Sequence, residues 1–227
     1  MNEKKTVISI IGAGGIGSNL AISVASAISS GPLVSSLGGI RVNIIDSDKV
    51  ENRNLIMGQR FSHSDLGKYK VMAIRDTISG FESDLFEVVP VPDDIRKLSD
   101  VPDSDIAIVC VDNMDARKVV HRMKIPWLDL RCSGDGYIAI DYTVRREVVE
   151  SLTREQNGPM SCQLEGWESG FIQAGFLAAA THGFQWVIAS LREMAGHSRS
   201  ILPRPRSSSV TFGILGELPT TEAIANE

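Results

Sequence analysis

Three acids, two asparagines and two lysines lie along the first half of this 227-residue chain, in types and order that suit the handling of a nucleotide. Asp46 ends the apolar run IRVNIID, where its carboxylate can accept hydrogen bonds from ribose hydroxyls, and Asp48 follows two residues on. Asn54 offers an amide to phosphate or to its own turn. Lys68 and Lys70 follow Gly67, and either ammonium can serve as a mobile cation for phosphates. Asp112 ends a second apolar run, IAIVCVD, where a hard oxygen ligand suits Mg²⁺ bridging phosphates. Asn113 and Arg117 come next and serve either the same ligand or the helix that follows, by capping and pairing it.

These side chains need a scaffold that delivers them to one edge. Val7 to Ile11 is an apolar, β-branched run, long enough for one strand buried on both faces. Gly12-Ala13-Gly14-Gly15-Ile16-Gly17 turns the chain, and Leu20, Ile22, Val24, Ala27 and Ile28 then line one side of a helix. Gly12 permits the tight turn, Gly14 lets the backbone approach a phosphate or an adenine, and Gly17 lets helix and strand pack closely. The helix N-terminus then faces the ligand.

Further strands are expected at Ile40–Asp46, Leu85–Val91, Ile106–Val111 and Trp127–Leu130, with an antiparallel strand at Gly136–Val144 and a last one at Val210–Leu215. Helices are expected at Leu66–Ile78, Ala116–Lys124 and roughly 169–194. Loops are expected at Ser30–Gly39, in the polar segment 147–168 and in a linker at 196–209. The fold class is α/β: one Rossmann-like domain over residues 1–227, its mainly parallel sheet flanked by helices and extended by antiparallel strands near the C-terminus.

A net charge of −5 gives no basic field for nucleic acid or a membrane surface. The longest apolar stretch, Phe171 to Leu191, is interrupted by Gln173, Thr181, His182 and Gln185, so it reads as a core or interface helix rather than a membrane span. Few residues precede the first strand, which leaves no room for a signal peptide, and a cytoplasmic setting is expected. Cys110, Cys132 and Cys162 form no C-x-x-C pair, and His63, His121, His182 and His197 share no ligand spacing, so no structural zinc is expected.

Taken together, GAGGIG, then D-S-D-K-V-E-N-R-N-L at 46–55, then D-L-G-K-Y-K at 65–70, then C-V-D-N-M-D-A-R at 110–117 resemble the ubiquitin-activating E1-like superfamily, whose bacterial members include the ThiF, MoeB and HesA proteins. The resemblance implies ATP as the nucleotide and an adenylyltransferase as the activity. The C-terminal carboxylate of a ubiquitin-like or sulfur-carrier protein, or of a peptide, would attack the α-phosphate and release pyrophosphate. It also implies a homodimer. Its spacing favours Lys70 over Lys68 as the catalytic cation, makes Asp112 the Mg²⁺ ligand, and sets Gly12, Gly14, Gly15, Gly17, Asp46, Asp48, Asn54 and Asn113 around the nucleotide.

The chain departs from the family pattern at the phosphate site, and its loop between the first helix and Asp46 is about ten residues longer than the usual spacing. Where an arginine usually reaches the phosphates, Met57 stands, and Arg60 or Arg53 is the available substitute. Cys162 lies roughly where some relatives carry an acyl-accepting cysteine, yet no neighbouring His or Lys would lower its pKa. Two other readings follow. One is a non-catalytic E1-like subunit that binds a partner; the other is an NAD(P)-dependent oxidoreductase built on the same glycine turn, for which the D-x-D…N-L…G-x-x-K series has no use.

Overall fold

Strand β1 (Thr6–Ile11) is buried along its whole length because it lies inside a seven-stranded sheet, with β2 (Ile40–Ile45) on one side and β4 (Ile106–Val109) on the other. The computed structural model describes residues 4–56, 58–153, 174–197 and 202–210. The strand order is β3-β2-β1-β4-β5-β6-β7, with β3 at Phe86–Val91, β5 at Trp127–Ser133, β6 at Gly136–Asp141 and β7 at Ser208–Val210. The first five strands are mutually parallel, and β6 and β7 extend the sheet antiparallel. The chain leaves β1 toward β2 on one side and later resumes with β4 on the other. The gap between the carboxyl ends of β1 and β4 is therefore the topological switch point, where sheets of this kind bind ligands.

The period-2 alternation of the strands divides the core into two layers. Ile8, Ile10, Val42, Ile44, Ile106 and Ile108 face helices α1 (Gly15–Ile28), α4 (Lys70–Ile78) and α7 (Gly175–Met194). Ile11, Ile45, Ala107 and Val109 face the other way, toward α5 (Met114–Val120) and α6 (Arg146–Leu152). Two further short helices, α2 (Pro32–Ser36) and α3 (Asn52–Ile56), interrupt the connections on either side of β2. Helix α7 turns Phe176, Ala179, Ala180, Trp186, Val187 and Leu191 inward, so much of its apolar character is used within the chain.

The loop expected at 30–39 contains α2, whose Pro32 sits in the first turn, where a missing N–H costs nothing. The loop expected at 147–168 is helical over its first part, because Val149 packs into the α5 layer. The rest of it, 154–168, falls outside the described residues, as does the start of the helix expected from 169. Strand β5 runs three residues past Leu130, and α5 stops at Val120 rather than Lys124. The linker expected at 196–209 gives way to β7 at Ser208, two residues before the strand expected from Val210. No helix among the described residues is long and apolar enough to cross a membrane.

Candidate functional site

The glycine turn is shaped by lack of space on one side and by open space on the other. Gly12 has φ +104°, and a Cβ there would lie 2.9 Å from the carbonyl carbon and oxygen of Cys110, so only glycine lets β1 end against β4. A Cβ on Gly17 would stand 1.8 Å from the Gly12 carbonyl oxygen, so this glycine fixes how closely α1 packs on β1. At Gly14 a Cβ would meet no heavy atom within 4 Å. Gly14 is the N-cap of α1, which has no side-chain cap and no acidic residue in its first turn. The first N–H groups of the helix and its positive dipole end thus face the switch point, with no carboxylate from the helix's own first turn on them.

Asp46, just past β2, braces this turn. Its Oδ2 accepts the Ala13 N–H at 2.7 Å and its Oδ1 accepts the Asp48 N–H at 2.8 Å. Burial pushes its carboxyl above the usual carboxylate range, against the opposing pull of Lys70 and of those two N–H donors. Lys70 opens α4 with its side chain only 9% exposed, and its ammonium donates to Asp48 Oδ2 at 2.7 Å. The Lys70 N–H also donates to the Asp48 carbonyl, so backbone and side chain together anchor α4 to the loop after β2. Asn54 is buried on α3, and its Oδ1 accepts the Glu51 N–H at 2.8 Å, a turn-forming bond.

Asp112 stands exposed at the carboxyl edge of β4. Its approach is held from behind by Arg117 of α5, whose Nη2 donates to the Val111 carbonyl and whose Nη1 pairs with Asp129 of β5. Asp129 is fully buried and is also met by Arg131 Nη2 at 2.6 Å and by His121 Nε2 at 3.0 Å. Burial first, then the Arg131 and Arg117 charges, press the His121 pKa down to about 4, so near neutrality its Nε2–H donates to an ionised Asp129. Two guanidiniums already compensate that carboxylate, which explains why it does not hold the imidazole charged.

One cleft at the switch point is lined by Gly12, Gly14, Gly15, Asp46, Asp48, Asn54, Lys70 and Asp112. Residues from four separate stretches of sequence therefore meet there. Gly17 acts one turn deeper, in the helix–strand contact. Asn113 does not line the cleft; its side-chain oxygen caps α5 by accepting the Asp115 N–H at 2.8 Å. Arg60 is directed elsewhere too, its Nε donating to Asn19 Oδ1 of α1 at 2.6 Å, whereas Arg53 lines the cleft with Glu51 2.8 Å from its Nε. Met57 and Cys162 lie outside the described residues.

Sequence spacing gave no hint of Phe176, which comes from α7 far along the chain and lays its ring over Gly15 and Gly58 to wall the cleft. Cys132 and Gln59 line it as well. Among the described residues no three or more His, Cys, Asp or Glu side chains cluster as a metal cage. A single exposed carboxylate such as Asp112 fits Mg²⁺, which keeps waters and is carried largely by substrate phosphates.

Comparison with solved structures agrees with this architecture. PaaA aligns with a TM-score of 0.59 at 19% identity, covering 89% of this chain and 59% of its own. MccB of E. coli, solved with ATP, aligns with a TM-score of 0.58 at 19% identity over 87% of this chain and 58% of its own. The same protein with AMPCPP and MccA gives 0.58 at 20% identity, over 87% and 57%. This chain thus spans under three-fifths of the length of each of these neighbours. No curated protein sequence matches it significantly. The family profile, by contrast, matches from residue 3 to residue 225, and on that evidence the chain belongs to the ThiF family.

Proposed function

We propose that the chain is an ATP-dependent adenylyltransferase that activates the C-terminal carboxylate of a peptide or of a small ubiquitin-like or sulfur-carrier protein. The observation that supports this most is the convergence of the glycine turn, Asp46, the Asp48–Lys70 pair and Asp112 on one cleft at the switch point. MccB, which shares the fold, has been crystallised with ATP and with MccA, which makes an adenylylated carboxylate the natural candidate chemistry.

In this reading Asp46 keeps lone pairs for ribose hydroxyls beyond the two N–H groups it already accepts. The α1 N-terminus receives the phosphates, and Lys70 turns its ammonium from Asp48 onto them. A carboxylate oxygen of the substrate bonds to the α-phosphorus, the bond from that phosphorus to the bridging oxygen breaks, and pyrophosphate leaves with the electron pair. Asp112 would hold Mg²⁺, which would supply neutralisation of the negative charge on the phosphates. The chain supplies alignment and electrostatic stabilisation rather than covalent chemistry. Assembly as a homodimer belongs to the same proposal and is checked by sedimentation.

Pyrophosphate exchange tests the activity. Incubation with ATP, candidate carrier proteins and labelled pyrophosphate is expected to yield labelled ATP, and Lys70→Met or Asp112→Ala to cut the rate about 10²–10³-fold. Exchange unaffected by either substitution would refute the assignment. Arg60 bonded to Asn19 favours one rival, a subunit that binds ATP without turning it over. Tight ATP binding with no exchange for any carboxylate would support that rival.

A further inference from the structure

A second cavity, of ≈ 990 Å³, lies at the opposite end of the sheet from the nucleotide cleft, between the α5–β5 turn and α6. Trp127 begins β5 and Tyr142 follows the end of antiparallel β6, which places the cavity at the amino ends of the parallel strands. Its size is at the upper end for small-molecule sites, about 300–1,000 Å³. Its inner surface is more apolar than polar: Met123, Ile125, Pro126 and Val144 line it, above a buried Trp127 that has the His121 ring 4.7 Å away, tilted by 33°.

The charge on its walls runs against that of the chain, whose net charge is −5. Lys118, Arg122, Lys124 and Arg146 line it, against the carboxylate of Glu150, which Arg146 Nε already meets at 2.6 Å. Asp115 answers Lys118 at 3.1 Å. An apolar surface under a positive wall is complementary to an organic anion with an apolar body, which would bury that body and place its charge among the cations.

The lining also reaches the other site. His121 lines this cavity and donates to Asp129. Asp129 pairs with Arg117, and Arg117 donates to the carbonyl of Val111, the residue before Asp112. On the same side Arg131 joins Asp129 to the α6 wall through the Leu152 carbonyl and, at 3.1 Å, Thr153 Oγ1. One buried carboxylate thus connects the lining of the cavity to the backbone that carries the candidate metal ligand. A ligand that shifts His121 or α6 acts on both ends, and linkage makes the effect reciprocal.

We propose that this cavity is an effector site for an organic anion with an apolar body, coupled to the nucleotide cleft through Asp129; the coupling rests on the reading of that cleft as an ATP site. The full chain is titrated with 8-anilinonaphthalene-1-sulfonate, followed by fluorescence. Saturable binding of one probe per chain is expected, weakened at least tenfold by the double substitution Arg122→Glu/Lys124→Glu with thermal stability unchanged. Absent saturation, or affinity indifferent to the charge reversal, overturns the site.

ATP is then titrated with and without saturating probe. A shift of at least threefold in ATP affinity is expected for the wild type. His121→Phe keeps a ring on Trp127 but loses the bond to Asp129, so it is expected to bind the probe and lose the shift. An ATP affinity indifferent to the probe, or the same shift in His121→Phe, overturns the coupling. A chain that takes up the probe but no ATP overturns the cleft reading and the coupling together, and leaves the anion site standing.

Discussion

The Asp46 carboxylate accepts the Ala13 N–H at 2.7 Å, so the acid that ends β2 fixes the turn that ends β1. Its second oxygen does the same for Asp48, which positions the partner of Lys70. Asp46→Ala removes both acceptors and leaves the Ala13 donor short of a partner in a part-buried site. The expected loss is about 1–3 kcal/mol, seen in a scan as a Tm fall of roughly 3–10 °C. An unchanged Tm would show that the brace is dispensable.

Gly14 and Gly17 lie three residues apart and answer to different demands. Alanine at Gly17 places its methyl 1.8 Å from the Gly12 carbonyl oxygen, a backbone atom that cannot step aside. That variant is expected to unfold or to lose more than about 3 kcal/mol. Alanine at Gly14 meets nothing within 4 Å, so stability should stay within about 0.5 kcal/mol. Its methyl nevertheless occupies the space through which phosphate would approach the α1 N-terminus, and calorimetry should show ATP binding weakened about tenfold or more. Equal stabilities for the two variants would contradict this division.

Acid should weaken the fold partly through His121. Its folded pKa is about 4, against 6.5 for the free side chain, so between those values the unfolded chain binds more protons than the native one. The contribution is intact above about pH 6.5, declines as the pH falls toward about 4, and is bounded at about 3 kcal/mol. His182 is also held neutral by burial and adds to the same limb. Denaturant unfolding at several pH values should therefore show a shallower acid limb in His121→Phe, with some slope remaining. Parallel curves for variant and wild type would rule the imidazole out.

The elements legible in the sequence were those with an apolar run closed by glycine or aspartate. Val7–Ile11 before Gly12, Ile40–Ile45 before Asp46, and Ile106–Val109 leading to Asp112 all fall where their residues direct. Helix α2 hides in a Gly/Ser-rich stretch because its start depends on Pro32 and one buried side chain, Val34. Helix α6 hides in a polar segment because only Val149 is buried. Strand β5 continues through Arg131 because Asp129 neutralises the guanidinium inside the fold, a pairing no local pattern announces. The cleft followed the same rule. Asp46, Asp48, Lys70 and Asp112 could be placed from motif spacing, whereas Phe176 enters from α7 and Arg117 acts through a partner on another strand.

A crystal structure with a non-hydrolysable ATP analogue and Mg²⁺ tests the central claim most directly. The triphosphate is expected at the α1 N-terminus beside Gly14, the ribose at Asp46, the Lys70 ammonium moved from Asp48 to the phosphates, and the metal between Asp112 and phosphate oxygens. Analogue bound away from the β1–β4 edge, or bound there with Lys70 still on Asp48 and Asp112 remote from the phosphates, would contradict it.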